Sequence, residues 1–291
     1  GASPNLRKAL VSIDPKTGGL LALYGGDDYL TSQVNTSTDA IAQAGSTFKP
    51  FALVAALEKE RQGMERLRQL DKLVPPDPPQ GLRAELRPYQ LDGYAWLTTL
   101  WDAGLGGVLA DDMGLGKTLQ TLATVARARE LGEVGGDAGP VLVVAPTSVV
   151  GAWVDEAARF TPDLRVVAVT QTHRKRREPL EEVVAGVDVV VTSYAVLRLD
   201  DEQFHALPWR GLVLDEAQAV KNHHSKTYQA VRQVRAPFRL AISGTPLENS
   251  LMDLWSLLSI TAPGLYPRPD DFTVSYRRPI ESGRAPELLD Q

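Results

Sequence analysis

A glycine-rich turn that ends in a lysine and a hydroxyl is suited to holding an anion, and this chain has one at Asp111-Asp112-Met113-Gly114-Leu115-Gly116-Lys117-Thr118. Glycines at 114 and 116 let the backbone turn so that several N–H groups converge, and the helical run Leu119 to Arg129 adds the positive end of its dipole. In that geometry the Lys117 ammonium reaches the β and γ phosphates of a nucleotide, and the Thr118 hydroxyl ligates Mg²⁺. The general pattern has glycine six residues before the lysine, where this sequence has Asp111. The alternative is a glycine-rich strand-to-helix turn that binds nothing.

Two further strings sit where such a loop would need partners. Gly211-Leu212-Val213-Leu214 runs into Asp215-Glu216-Ala217-Gln218, placing carboxylates at the end of a buried strand. Ligands of open α/β sheets bind at the carboxyl ends of strands, so Asp215 would hold Mg²⁺ and Glu216 would polarise an attacking water. Read alone, Asp-Glu is a pair of acids at the start of a helix. In Leu240-Ala241-Ile242-Ser243-Gly244-Thr245-Pro246-Leu247-Glu248-Asn249 another strand ends in small polar residues, whose hydroxyls would touch Glu216 or the γ phosphate. Alone, it is a Gly-Thr-Pro turn.

Three other groups of residues carry weaker chemistry. Ser46 and Lys49 form a Ser-x-x-Lys pair that shares one face at a helix start, bringing an amine near a hydroxyl. The run His173-Arg174-Lys175-Arg176-Arg177 is either a phosphate-contacting patch or a solvated face. His223-His224 does not read as a metal site, because adjacent histidines project apart and no third ligand stands at the required spacing.

The elements that would position these residues fall into two parts. Short apolar strands, at Val141 to Ala145, Val166 to Val169, Val187 to Val191, Leu212 to Leu214 and Leu240 to Ile242, alternate with amphipathic stretches. Such runs signal strands buried on both faces of a parallel sheet. Before residue 64, Ala9 to Ile13 and Leu20 to Tyr24 flank a Pro-Lys-Thr-Gly-Gly turn, the pattern of a β-hairpin, and an apolar helix follows it. Between them, Pro75-Pro76-Asp77-Pro78-Pro79 cannot continue a helix or central strand. We divide the chain into a segment at 1–63, a proline-rich linker at 64–80 and an α/β domain at 81–291. A chain of 291 residues, 43% hydrophobic and 23% charged, has the composition of a soluble globular protein rather than a collagen, coiled coil or disordered tail. Its net charge of −5 leaves any nucleic-acid contact to local patches. Without cysteine there is no disulfide, thiolate nucleophile or thiolate metal site, and the redox compartment stays open. No run approaches the roughly 18 apolar residues of a membrane span, and the first residues are not a signal sequence, so a cytoplasmic location is expected.

From about residue 64 onward the chain resembles the first RecA-like lobe of bacterial Swi/Snf-family ATPases, the double-stranded-DNA translocases of helicase superfamily two. The resemblance is carried by Leu86-Arg87-Pro88-Tyr89-Gln90, the loop from Asp111 to Thr118, Ala145-Pro146-Thr147-Ser148, Thr192-Ser193-Tyr194, Asp215 to Gln218 and Ser243 to Asn249, in family order. Asp111, a departure from the general loop, is what that family has there. The resemblance implies a RecA-like parallel sheet with helices on both faces, and ATP and Mg²⁺ as cofactors. It places ATP at Arg87, Gln90, Met113, Gly114, Leu115, Gly116, Lys117 and Thr118, with Gln90 reading the adenine edge. Thr118 and Asp215 would hold the metal, Lys117, Asp215 and Glu216 would serve catalysis, and Gln218, Ser243 and Thr245 would couple hydrolysis to movement. Pro146, Thr147, Thr192 and Ser193 would meet the backbone of double-stranded DNA through hydroxyls and main-chain N–H groups. Such motors need a second RecA-like lobe, which we do not find before Gln291, so nucleotide binding with weak or no turnover is expected.

Residues from about 8 to 63 resemble the start of the transpeptidase domain of class A penicillin-binding proteins, on Ser12 to Gly18, Tyr24-Gly25-Gly26, Asn35 with Thr38, and Gly45-Ser46-Thr47-Phe48-Lys49-Pro50-Phe51. That family also needs a Ser-x-Asn and a Lys-Thr-Gly strand after the serine, and neither follows Ser46. The two resemblances together imply a fusion of unrelated fragments, with Ser46 and Lys49 a remnant pair without chemistry. The rival readings are a passive duplex-DNA-binding module and a serine acyltransferase acting through Ser46.

Overall fold

The computed structural model describes residues 10–13, 20–24, 75–111, 114–244, 251–263 and 268–274. Strands β1 (Leu10–Ile13) and β2 (Leu20–Tyr24) pair antiparallel, with Leu10 opposite Tyr24 and a register shift between Ser12 and Ile13. The expected hairpin is therefore present; the expected helix after it, with Ser46 and Lys49, lies outside the described residues.

The α/β domain follows the alternation read from the sequence. Pro88 opens the first described helix, α1 (Pro88–Asp102), at a position where a missing N–H costs nothing. After it come β3 (Gly106–Leu109), α2 (Lys117–Glu130), β4 (Val141–Ala145), α3 (Val150–Phe160) and β5 (Val166–Val169). Two single turns, α4 (His173–Arg176) and α5 (Leu180–Val183), lead to β6 (Val189–Ser193), α6 (Tyr194–Leu199) and α7 (Asp201–Ala206). The domain continues through β7 (Gly211–Leu214), α8 (Lys226–Gln233), β8 (Phe238–Ile242), α9 (Leu251–Thr261) and α10 (Pro269–Phe272).

All six strands from β3 to β8 are parallel, in the order β3-β8-β7-β4-β6-β5. Successive residues of each strand point to opposite faces, so each strand feeds two cores. On one face Leu109, Val143, Val191, Val213 and Leu240 pack under Trp101, Leu122 and Trp153 of α1, α2 and α3. On the other, Val108, Val144, Val190, Leu214 and Ala241 pack under Leu197, Val231 and Trp255 of α6, α8 and α9. This is the RecA-like arrangement expected, helices on both faces included.

Parallel strands open all their carboxyl ends at one edge. The strand order sets out the functional strings along that edge: the phosphate loop after β3, Ser243 after β8, Asp215 after β7, Thr147 after β4, Tyr194 after β6. The start of β3 has no room for a side chain. A Cβ at Gly106 would lie 2.0 Å from the Thr261 carbonyl oxygen, a backbone atom held at the end of α9. Gly106→Ala is therefore expected to destabilise the domain by about 1–3 kcal/mol, read as a lower urea midpoint with an unchanged slope.

Candidate functional site

The phosphate loop is held from behind by two buried amides. Gly116, at φ 75° and ψ 38°, is the left-handed residue that starts α2, and Gly114 sits at φ 83°. The left-handed conformation requires glycine, and a Cβ on Gly116 would meet Gln90 Nε2 at 2.4 Å and push that amide aside. Gln90 Nε2 donates to the Leu115 carbonyl at 3.2 Å, and its Oε1 accepts from the Arg87 N–H at 3.0 Å. One N–H and one acceptor lone pair of that amide are left over from these bonds, the pair an adenine edge would use. Gln120, wholly buried one turn into α2, donates to the same Leu115 carbonyl at 3.4 Å. Lys117 Nζ donates to the Asp111 carbonyl at 2.7 Å, across the mouth of the loop. Thr118 is half-buried beside it, and Met113 lies outside the described residues.

Asp215 stands at the end of β7 with both carboxylate oxygens engaged. Oδ1 accepts from the Glu216 N–H at 3.0 Å, and Oδ2 accepts from the Trp153 indole N–H at 2.8 Å. Its main chain is fixed as well, since its N–H donates to Val144 and its carbonyl accepts from the buried Tyr194 hydroxyl, both at 2.8 Å. Burial pushes the Asp215 carboxyl above the usual carboxylate range, against the lowering by the indole bond, and the Lys117 charge also acts on it. Glu156, one turn beyond Trp153 on α3, is raised too, first by its own burial and then by the Asp215 charge.

Glu216 takes φ 47° and ψ 56°, a left-handed conformation that is uncommon for a residue with a side chain. Its Oε2 accepts from Gln218 Nε2 at 2.7 Å, and Gln218 Oε1 accepts from the Ser243 hydroxyl at 3.4 Å. Ser243 thus reaches Glu216 through Gln218. Its own N–H donates to Leu109 of β3, at the root of the phosphate loop, at 3.1 Å. Thr245 lies outside the described residues.

The expected DNA side divides. Thr147 is exposed just beyond β4, and Pro146 is half-buried beside it. Thr192 and Ser193 are different, because β6 runs two residues further than the apolar run suggested and takes both into the sheet. Thr192 is 0% exposed and its hydroxyl donates to Val169 of β5 at 2.7 Å, while the Ser193 hydroxyl caps α6 by accepting from the Val196 N–H. Their hydroxyls therefore do not face outward, which corrects the expectation that they meet phosphate oxygens. In the basic run, Arg176 is tied to Gln203, Gln171 and Glu178, whereas Arg174, Lys175 and Arg177 are exposed. No group of three or more potential metal-binding side chains of His, Cys, Asp or Glu occurs among the described residues, and none of their helices is long and apolar enough to cross a membrane.

These donors fit a nucleoside triphosphate with a hard cation. The fit rests on a cradle that only glycine can form, a lysine at a helix start, and a buried carboxylate whose charge is met by N–H donors. A hydroxyl and a carboxylate are the oxygen ligands that Mg²⁺ prefers.

The model of the SNF2-related domain matches residues 89–289. The chain belongs to that family. The chain is 36% identical over 240 residues to the TATA-binding protein-associated factor mot1 of Aspergillus fumigatus, covering 80% of this chain and 13% of that one. It is 31% identical over 303 aligned residues to the chromatin-remodeling ATPase INO80 of Drosophila melanogaster, covering 97% of this chain and 18% of that one. The SWI2/SNF2 ATPase core of Sulfolobus solfataricus, solved in complex with dsDNA, superimposes with a TM-score of 0.65 at 34% identity. That match covers 75% of this chain and 45% of the solved one. A second family model, the penicillin binding protein transpeptidase domain, matches residues 9–76. Residues 77–88, with the end of the proline-rich stretch, lie between the two matches. Trp153, Gln120 and Glu156, which border Asp215 and the loop, belong to none of the motifs, and Tyr194, within the Thr192-Ser193-Tyr194 string, is given no role of its own by the resemblance.

Proposed function

We propose that this SNF2-related domain is the ATP-binding lobe of a motor that moves along double-stranded DNA, with hydrolysis requiring a second RecA-like lobe. The observation that carries this reading is the lateral order of the sheet. It supports a site in which Lys117 and Asp215 hold opposite sides of a triphosphate, with Ser243 between them. MgATP, when bound, supplies the phosphoanhydride whose cleavage drives movement. Lys117 and the N–H groups between Gly114 and Thr118 neutralise and orient the phosphates. Thr118 and Asp215 hold the cation. Glu216 orients a water and takes up its proton at a carboxylate oxygen. Gln218 and Ser243 link that carboxylate to β8, so a change at Glu216 is passed to the strand beside the phosphate loop.

A second lobe would add cationic side chains from across the cleft. In related phosphoryl transfers such groups are worth roughly three to five orders of magnitude in turnover. Contact with DNA would fall on Thr147 and the main chain around Pro146, and would be indifferent to sequence because phosphates carry no base identity. Residues 1–63 carry no chemistry in this reading.

A titration of the chain with a fluorescent ATP analogue and Mg²⁺, followed by duplexes of unrelated sequence at several salt concentrations, tests the proposal. Saturable nucleotide binding is expected, with duplex affinities that are alike between sequences and fall together as salt rises. Absence of nucleotide binding, or a duplex preference that salt leaves intact, would overturn it.

A further inference from the structure

We propose that Trp153 is a positioning residue for Asp215, its indole N–H fixing the plane of that carboxylate so that it faces the cation rather than the lysine. This rests on the ATP-binding reading above. Trp153 is 1% exposed in α3, whose Val150, Trp153 and Ala157 form the face packed on the sheet. A buried indole supplies apolar area and one donor. That donor is spent on Asp215 Oδ2 at 2.8 Å, across 62 residues of sequence.

Satisfying the indole does not by itself account for the contact. Trp96, equally buried on the same side of the sheet, has no partner for its N–H, so this core accommodates an unbonded indole. Asp215 has donors from two directions, Glu216 N–H on Oδ1 and Trp153 on Oδ2. Two such bonds fix rotation about the last side-chain torsion and leave a lone pair on each oxygen for a cation or its water. Without the indole bond one oxygen is released. The Lys117 charge, which already acts on Asp215, would draw the carboxylate across the site. A direct Lys117–Asp215 pair would engage the phosphate lysine and the metal carboxylate together. Partners of this kind behind a metal ligand are typically worth about 10–100-fold in metal affinity.

The test compares the wild-type chain with Trp153→Phe, which keeps a buried ring and removes the donor. Affinity for a fluorescent ATP analogue is measured without Mg²⁺ and across a Mg²⁺ titration. The variant is expected to bind the metal-free nucleotide as wild type does and to need about 10–100-fold more Mg²⁺ for half-saturation of the metal-dependent change. A merely structural role would weaken both conditions alike, and equal Mg²⁺ requirements would overturn the proposal.

A second measurement needs no folded Trp153 variant. Among the five tryptophan indole N–H signals of the ¹⁵N-labelled wild-type chain, one is expected to move when Mg²⁺ joins bound nucleotide, and to lie elsewhere in Asp215→Asn. Five signals unmoved by both changes would overturn the proposal. Nucleotide binding that is indifferent to Mg²⁺ in the wild type would overturn it too, while leaving ATP binding in place. A wild-type chain that binds no nucleotide overturns the functional reading and this one with it.

Discussion

Lys117→Ala is expected to weaken binding of MgATP by about 10²–10⁴-fold, the loss of two charge-assisted hydrogen bonds to phosphate oxygens at roughly 1.5–3 kcal/mol each. The side chain is half-buried, and one bond it makes within the chain is to the Asp111 carbonyl at the loop mouth. The loop conformation does not depend on it, because Gly114 and Gly116 set the turn and Gln90 and Gln120 hold Leu115 from behind. The melting temperature without ligand should therefore stay close to that of the parent, while the stabilisation by added nucleotide disappears. Affinity for duplex DNA without nucleotide should be almost unchanged, since Lys117 lies at the β3 side of the edge and Thr147 beyond β7, after β4. Isothermal titration with MgATP and thermal melts with and without nucleotide read both quantities. Equal nucleotide affinity in parent and variant would show that the loop is a structural turn, and the chain would then be read as a passive DNA-binding module.

What the sequence made legible and what it hid divide along one physical line. The phosphate loop, the Asp215-Glu216 string and the Ser243 turn are each contiguous, and the last two lie just after strands that their own apolar runs identify. Their mutual placement follows from parallel pairing, which the alternation of strands and helices implies. The Trp153–Asp215 bond depends on something no local pattern contains, the choice of β4 as the neighbour of β7 with Val144 beside Leu214. That pairing carries α3 over the end of β7.

Strand ends misled for a related reason. Apolar runs mark where burial is greatest, and β6 continues past its apolar run because Thr192 satisfies its hydroxyl on the neighbouring β5. A small hydroxyl at the end of a run reads the same whether it faces a ligand or a carbonyl, and only the flanking strand decides. Gln218 shows the opposite case. Its place two residues after Glu216 suggested a coupling role only through the resemblance, and the structure supplies the contacts, with Glu216 on one side and Ser243 on the other.

Glu216→Gln separates binding from chemistry more sharply than any change in the loop. Glutamine keeps the length of the side chain and an oxygen that can accept from Gln218 Nε2, the bond made at 2.7 Å in the parent. It costs the left-handed backbone at 216 nothing beyond what glutamate already bears, since φ 47° is set by the turn from β7 rather than by the carboxylate. Nucleotide and Mg²⁺ should bind as in the parent, because Lys117, Thr118 and Asp215 are untouched. An amide cannot take up the proton of an attacking water. Hydrolysis should therefore fall by about 10²–10⁴-fold, the usual range for removing a general base. The measurement is single-turnover hydrolysis of MgATP on excess protein with duplex DNA present, with a second RecA-like lobe supplied where the lone chain is too slow to time. Gln218→Ala is the companion, leaving the carboxylate in place and removing its link to Ser243 and β8. It should bind MgATP normally and lose less turnover than Glu216→Gln, but it should lose the stimulation by DNA, because the path from Glu216 to β8 passes through Gln218. Turnover in Glu216→Gln equal to the parent would remove Glu216 from the chemistry, and a Gln218→Ala variant still stimulated by DNA would remove the relay.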